Sequence, residues 1–181
     1  AAGVNTIASS MMESNQADTY SGSSVASAGD VNADGYSDVI VGAPNYDNGQ
    51  TDEGAVFVYH GSATGINTIA AVRLECNQVS AFMGCSVASA GDVNGDGYVD
   101  IIAGAIEYDN GQSNEGAAFV YLGSATGINA AAMTKMESNL SNAYLGCSVA
   151  SAGDVNGDGY SDLIVGAYGY FNGQFNEGAA F

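Results

Sequence analysis

The sequence predicts an all-β protein built from three copies of a four-stranded antiparallel unit. A ten-residue string beginning Gly-Asp-Val-Asn starts at Gly29, Gly91 and Gly153, so that it recurs every 62 residues along the whole chain. Apolar runs of strand length alternate with Asn-Gly turn signals, and no segment keeps helical periodicity. The 26 glycines and single proline fit many tight turns between short strands.

Four strands are predicted in each unit. The small side chains of residues 24–29 suit a crowded position near an axis, and the apolar run of residues 39–43 is typical of a strand buried on both faces. Residues 55–59 are rich in valine and aromatic side chains. The fourth strand lies at about residues 71–76, where charge first occurs, and its counterparts lie near Met11 and Lys135. A charged outer edge is expected on such a sheet.

The repeat boundaries are offset from the strand order. Dividing the chain into 1–62, 63–124 and 125–181 makes it begin with an outer strand and end, at Phe181, within a third strand. Four-stranded antiparallel units of about 60 residues match the blades of a β-propeller better than a sandwich or a barrel. Three blades do not close a ring, so we expect association of chains to complete it, with strands exchanged between the ends.

Each unit carries one loop whose pattern predicts a Ca²⁺ site. Oxygen-bearing side chains stand at loop positions 1, 3, 5 and 9, a glycine stands at position 6, and a main-chain carbonyl is available at position 7. Ca²⁺ takes six to eight oxygen ligands and needs a sharp turn. The predicted ligands, three Ca²⁺ ions per chain, are Asp30, Asn32, Asp34, Tyr36, Asp38, Asp92, Asn94, Asp96, Tyr98, Asp100, Asp154, Asn156, Asp158, Tyr160 and Asp162.

Two other interpretations of these loops fit the pattern less well. An EF-hand has a bidentate Glu at position 12 before a helix, whereas position 12 here is Val41, Ala103 or Val165 inside a strand. A metal-free Asp/Asn/Gly turn would leave three carboxylates within nine residues to repel one another. The pattern therefore favours a calcium loop in a β-hairpin, with a structural role for the ion.

Charge and composition exclude several function classes. Twenty acidic residues face two basic ones, giving a formal net charge of −18, which argues against nucleic acid as a partner. No apolar run is long enough to insert into a membrane. Cys76, Cys85 and Cys147 have no metal-site spacing and are expected to be small buried thiols. His60 is the only histidine and stands in no nucleophile motif, so we expect no enzymatic activity.

The chain resembles the FG-GAP repeats that form the propeller of integrin α subunits. The first motif element occurs as Tyr20-Ser21-Gly22, Phe82-Met83-Gly84 and Tyr144-Leu145-Gly146, and the second as Gly42-Ala43-Pro44 with two degraded copies. The resemblance covers essentially the full chain. It implies blades around a channel, calcium loops on one face and ligand recognition on the other, although family propellers have about seven repeats and this chain has three.

The resulting functional expectation is a calcium-binding propeller module, secreted or at the cell surface, with an adhesion or ligand-recognition role. A homodimer would supply a six-bladed ring, and a protein or glycan is the expected ligand. Tyr46, Tyr108 and Tyr170 are candidate anchors on the face opposite the calcium loops, or else pack between blades. The alternatives are a purely structural or designed self-assembling fragment and, more weakly, a hydrolase-associated domain.

Overall fold

Three antiparallel sheets make up the computed structural model, which describes residues 7–174 and 177–181. The first sheet contains strands β1–β4, the second contains β5–β8, and the third contains β9–β11, each in sequence order from the inner strand outwards. The strands are β1 (Ser24–Gly29), β2 (Asp38–Ala43), β3 (Ala55–Tyr59), β4 (Val72–Leu74), β5 (Met83–Gly91), β6 (Asp100–Ala105), β7 (Ala117–Tyr121), β8 (Thr134–Glu137), β9 (Leu145–Gly153), β10 (Asp162–Ala167) and β11 (Ala179–Ala180).

The prediction of an all-β, antiparallel, four-stranded architecture is confirmed, and the described residues contain no helix. Accordingly, that part of the chain has no helix capable of crossing a membrane. Strands β1 and β3 have the predicted bounds, β2 starts one residue earlier, and β4 is only three residues long. Strands β3, β6 and β7 are buried along their whole length, as their apolar sequences require.

The structure has no strand near Met11, where the repeat predicts an outer strand. In the first two sheets the outer strand pairs with the third strand of its own sheet, as β4 does with β3. Among the described residues no third strand lies beside this segment, so it has no strand edge to pair with. The third sheet, in the described part of the chain, contains only β9, β10 and β11 and has no outer strand beside β11.

Neighbouring sheets approach each other through glycines of the two repeated motifs. A Cβ built on Gly42 would lie 2.0 Å from the carbonyl oxygen of Gly84, and one built on Gly104 would lie 2.0 Å from that of Gly146. Gly84 and Gly146 also have φ of 87° and 88°, a left-handed conformation that favours glycine. Any side chain at these positions would separate the sheets.

The first and third sheets each expose apolar side chains whose counterparts at the same repeat positions are buried in another sheet. In the third sheet, Val155 is 71% exposed and Ile164 is 44% exposed, whereas Val31 and Ile40 at the same repeat positions of the first sheet are fully buried. In the first sheet, Val25 is 65% exposed. The first and third sheets therefore each expose a surface of the kind that is buried where the first sheet packs against the second.

Candidate metal centres in the strand connections

The three acidic loops occupy equivalent places in the three sheets. They span residues 30–37, 92–99 and 154–161 and join the first strand of each sheet to the second. Because strands alternate in direction within an antiparallel sheet, all three loops lie at the same end of their sheets. The connections between second and third strands lie at the opposite end.

The first loop curls so that its side-chain oxygens lie close together. The backbone N–H of Asp34 donates to Asp30 Oδ1 and to Asn32 Oδ1, each at 3.0 Å, so both oxygens surround one nitrogen. Gly35 N–H donates to Asp30 Oδ2 at 2.8 Å, and Tyr36 N–H donates to Asp34 Oδ1 at 2.9 Å. The oxygens of loop positions 1, 3 and 5 are thereby held on the concave side of one turn.

The same contacts recur in the other two loops. Asp96 N–H donates to Asp92 Oδ1 at 3.1 Å and to Asn94 Oδ1 at 3.0 Å. Asp158 N–H donates to Asp154 Oδ1 at 3.1 Å and to Asn156 Oδ1 at 2.8 Å. Three independent copies of one arrangement indicate that the local sequence determines the loop geometry.

Left-handed backbone at two loop positions makes this curl possible. Position 6 is glycine in every loop, with φ of 89°, 89° and 92°. Position 4 is Gly95 and Gly157 in the second and third loops, but Ala33 in the first, where φ is 55°. A left-handed alanine carries some steric strain, so the first loop is built at a slightly higher conformational cost than the other two.

The carboxylate at position 9 ties each loop to the body of its sheet. Asp38 is fully buried, and its two oxygens accept hydrogen bonds from Val31 N–H at 2.9 Å and Gly61 N–H at 2.8 Å. Asp100 makes the same pair of contacts in the second sheet. Asp162 is more exposed, and among the described residues its carboxylate accepts a hydrogen bond from Val155 N–H alone. Position 9 therefore has a structural role beyond any ligand role.

Backbone amides lower the pKa of the position 1 carboxylate in the second and third loops. The N–H of Gly159, together with other amides of the loop, holds the pKa of Asp154 below its usual value. Burial pushes the pKa of Asp92 upwards, but the amides of Gly97 and its neighbours outweigh burial and lower it. Both carboxylates are consequently ionised over a wide pH range, as ligands for a cation must be.

The donor set of these loops fits a hard cation. Every predicted ligand atom is oxygen, and an ionised carboxylate offers about four acceptor positions, so amide contacts do not exhaust it. Within residues 7–174 and 177–181, no three His, Cys, Asp or Glu side chains are grouped as a metal cluster. Only three of the five predicted ligands per loop are carboxylates, and the one at position 9 faces backbone amides. The loops would rely on amide and carbonyl oxygens for the remainder.

The tyrosines considered as ligand anchors pack within their own sheets. Tyr46 meets Phe57 edge to face at a centroid distance of 5.3 Å, and the Arg73 guanidinium lies 5.2 Å from the Tyr46 ring centre. Tyr108 makes the equivalent contacts with Phe119 and Lys135. These contacts occupy their rings and leave them poorly suited as free anchors. His60 lies just after β3 with its ring against Gly127.

Sequence reasoning passed over a second set of carboxylates. Glu53 and Glu115 are fully buried at the end of the sheets opposite the acidic loops. Their signal was present in the sequence, since a glutamate precedes each Gly-Ala at the start of the third strand, at Glu53, Glu115 and Glu177. A buried carboxylate at a fixed place in a repeat needs a partner.

Comparison with known families decides what these sheets and loops are. The FG-GAP repeat matches residues 21–59, and the FG-GAP-like repeat matches residues 92–165. The chain belongs to the FG-GAP repeat family. The two FG-GAP matches include all three acidic loops, at residues 30–37, 92–99 and 154–161.

Curated relatives of this FG-GAP chain include integrin α subunits. It is 39% identical over 139 residues to integrin alpha-6 of Homo sapiens, covering 76% of this chain and 12% of that protein. It is 36% identical over 159 residues to integrin alpha-V of Gallus gallus and to integrin alpha-IIb of Homo sapiens, covering 83% of this chain and 15% of each relative. The FG-GAP chain thus spans about an eighth to a seventh of the length of these relatives.

Proposed function

We propose that this FG-GAP chain is a calcium-stabilised propeller segment with a role in adhesion or ligand recognition. The observation that carries the proposal is the acidic loop, in which the oxygens of positions 1 and 3 surround a single backbone amide in all three sheets. Ca²⁺ would be held by positions 1, 3, 5, 7 and 9 of each loop. When bound, it would offset the repulsion among the loop carboxylates.

Calcium removal tests the metal part of the proposal. Free Ca²⁺ at about 100 times its Kd adds about 2.7 kcal/mol of stability per site, and 1 kcal/mol raises Tm by about 2–4 °C in a chain of this size. Three such sites would add about 8 kcal/mol, so we expect EDTA to lower Tm by about 16–32 °C. Asp92→Asn should reduce the calcium-dependent part of Tm, whereas Asp109→Asn, an exposed change outside the loops, should not. An EDTA-insensitive Tm would contradict the proposal.

The recognition role is assigned to the end of the sheets opposite the acidic loops. The connections between second and third strands lie there, and integrin α relatives are cell-surface proteins, which supports a secreted or cell-surface location. A protein or a glycan is the proposed ligand, and no catalytic role is proposed. The test is binding to a glycan array or to extracellular matrix proteins. Binding that persists in loop variants such as Asp92→Asn, measured at temperatures where they stay folded, would support this assignment.

Self-association is proposed to complete the ring. Gly22 and Gly166 are the unmatched members of the glycine contacts that join neighbouring sheets, and the apolar faces bearing Val25 and Ile164 are unmatched as well. The third sheet of one copy can therefore pack against the first sheet of another copy. The contact would be the same as the two contacts between neighbouring sheets within one chain. The segment around Met11 would supply the missing outer strand, and two copies would give six sheets. Sedimentation equilibrium should give twice 18.1 kDa.

A purely structural role is the second candidate. It is favoured by the packing of Tyr46 and Tyr108 against their own sheets, which leaves few repeated aromatic side chains free for a ligand. Assembly with no binding partner in either screen would favour this alternative over recognition.

A further inference from the structure

The fully buried Glu53 lies two residues before β3, and only one of its two carboxylate oxygens has a hydrogen-bond partner among the described residues. Its Oε1 accepts a hydrogen bond from the backbone N–H of Asn48 at 2.6 Å. Its Oε2 is buried and has no hydrogen-bond partner among the described residues. Since a buried carboxylate oxygen without a partner is costly, something besides the described groups should balance it.

A second carboxylate from the outer edge of the same sheet meets the same asparagine. The Asn48 side-chain Nδ2 donates to Glu75 Oε2 at 2.9 Å, and Glu75 Oε1 forms an ion pair with Arg73 Nε. Gln50, two residues after Asn48, contributes a buried side-chain oxygen that also has no hydrogen-bond partner in the described part of the chain. Asn48 thus donates hydrogen bonds to two carboxylates, those of Glu53 and Glu75, and the oxygen atoms of this cluster are acceptors.

The second sheet repeats this arrangement residue for residue. Asn110 N–H donates to Glu115 Oε1 at 2.5 Å, and Asn110 Nδ2 donates to Glu137 Oε2 at 2.9 Å. Glu115 Oε2 and Gln112 Oε1 are again buried without a hydrogen-bond partner in the ranges described, and Lys135 replaces arginine as the ion-pair partner of Glu137. Two copies with the same unsatisfied oxygens argue against an accident of one side-chain placement.

The charges of each cluster do not balance. In the first sheet two carboxylates face the single Arg73 guanidinium, which leaves one negative charge in a largely buried setting. Burial raises the pKa of Glu53, and the nearby charge of Glu75 raises it further, although backbone amides oppose both effects. A proton on Glu53 would satisfy one oxygen, whereas a bound cation would satisfy the free Glu53 Oε2 and also balance the remaining negative charge.

We propose that each of these clusters binds one hard metal cation, through Glu53, Gln50 and Glu75 in the first sheet and Glu115, Gln112 and Glu137 in the second. Oxygen-only ligands select cations such as Ca²⁺, Mg²⁺ or Na⁺ over softer metals. The two clusters lie at the end of the sheets opposite the acidic loops, so they are separate from the calcium sites already proposed and do not depend on them.

Counting bound ions tests this proposal, with Ca²⁺ as the probe. Equilibrium dialysis against radioactive Ca²⁺ at millimolar concentration should show two fewer bound ions per chain for the double variant Glu53→Gln, Glu115→Gln than for the unmodified chain. The matched control is Asp47→Asn with Asp109→Asn, which removes one exposed carboxylate from each of the same two connections. The control should keep the full count.

Each result has a defined meaning. An unchanged count in the glutamate double variant would overturn the proposal. A rise in Tm of that variant in EDTA, with an unchanged count, would show that a proton occupies the cluster and would also overturn it. If the acidic loops bind no Ca²⁺ but this proposal holds, the count should fall from two to zero; if both hold, it should fall by two from a higher value.

Discussion

Replacing Gly104 with alanine probes the contact that sets the distance between neighbouring sheets. The new Cβ would lie 2.0 Å from the carbonyl oxygen of Gly146 and 2.8 Å from its carbonyl carbon. An ordinary carbon–oxygen contact is about 3.3 Å or longer, so β6 and β9 would have to move apart by more than about 1 Å. Backbone atoms form the obstacle, and they cannot rotate away as a side chain can.

The expected cost follows from overpacking. Forcing an extra methyl group into a well-packed contact costs typically about 1–3 kcal/mol, and a clash with backbone belongs at the upper end of that range. With about 2–4 °C of Tm per kcal/mol for a chain of this size, Gly104→Ala should lower Tm by about 6–12 °C. The loss should occur with and without Ca²⁺, because the contact is remote from the acidic loops.

Gly166→Ala is the matched control, since Gly166 holds the same repeat position in the third sheet. The nearest atoms to a Cβ there would be Cys147 Sγ at 3.4 Å, Ser148 Cβ at 3.5 Å and the Ser148 carbonyl oxygen at 3.7 Å, which are normal contacts. In a single chain this variant should keep or raise Tm. Alanine reduces the conformational entropy of the unfolded chain, which stabilises the folded state by about 0.4–1 kcal/mol. Differential scanning calorimetry decides the comparison, and equal Tm values for Gly104→Ala and the unmodified chain would refute the packing argument. Loss of the double-mass species in Gly166→Ala alone would support ring closure by self-association.

Three further predictions concern single side chains. Asp100→Ala should destabilise the chain by about 2–6 kcal/mol in urea unfolding, because it orphans two amide donors, whereas Asp162→Ala orphans one and should cost about half as much. Burial raises the pKa of both Cys76 and Cys85 to about 11. A disulfide reagent at pH 8 should therefore modify these two thiols about 200 times more slowly than a free thiol. Rapid labelling of Cys76 or Cys85 in the folded chain would contradict this prediction. The lowered pKa of Asp92 contributes stability that is fully present above the unfolded value of about 3.9 and is lost as pH falls through the lower folded value. Urea unfolding in EDTA between pH 2 and 6 should show that loss, and Asp92→Asn should diminish it.

Local sequence patterns were sufficient for the repeat, for the position of nearly every strand and for the curl of the acidic loops. Strand placement follows from apolar runs of five or six residues, and the loop contacts join residues at most five positions apart, as between Asp30 and Gly35. Interactions of such short range leave a direct trace in spacing and composition. The ligand role of the loops stays a prediction from that same spacing.

Tertiary structure alone decided the features that depend on distant residues. Asp38 is held by the amide of Gly61, 23 residues later, and Gly42 is obligatory because of the carbonyl of Gly84 in the next sheet. The segment around Met11 has an outer-strand sequence but forms no strand, because strand formation needs a hydrogen-bonded neighbour and the described residues place none beside it. A repeat pattern specifies what each residue is able to do, whereas burial and pairing depend on which neighbours the fold brings to it.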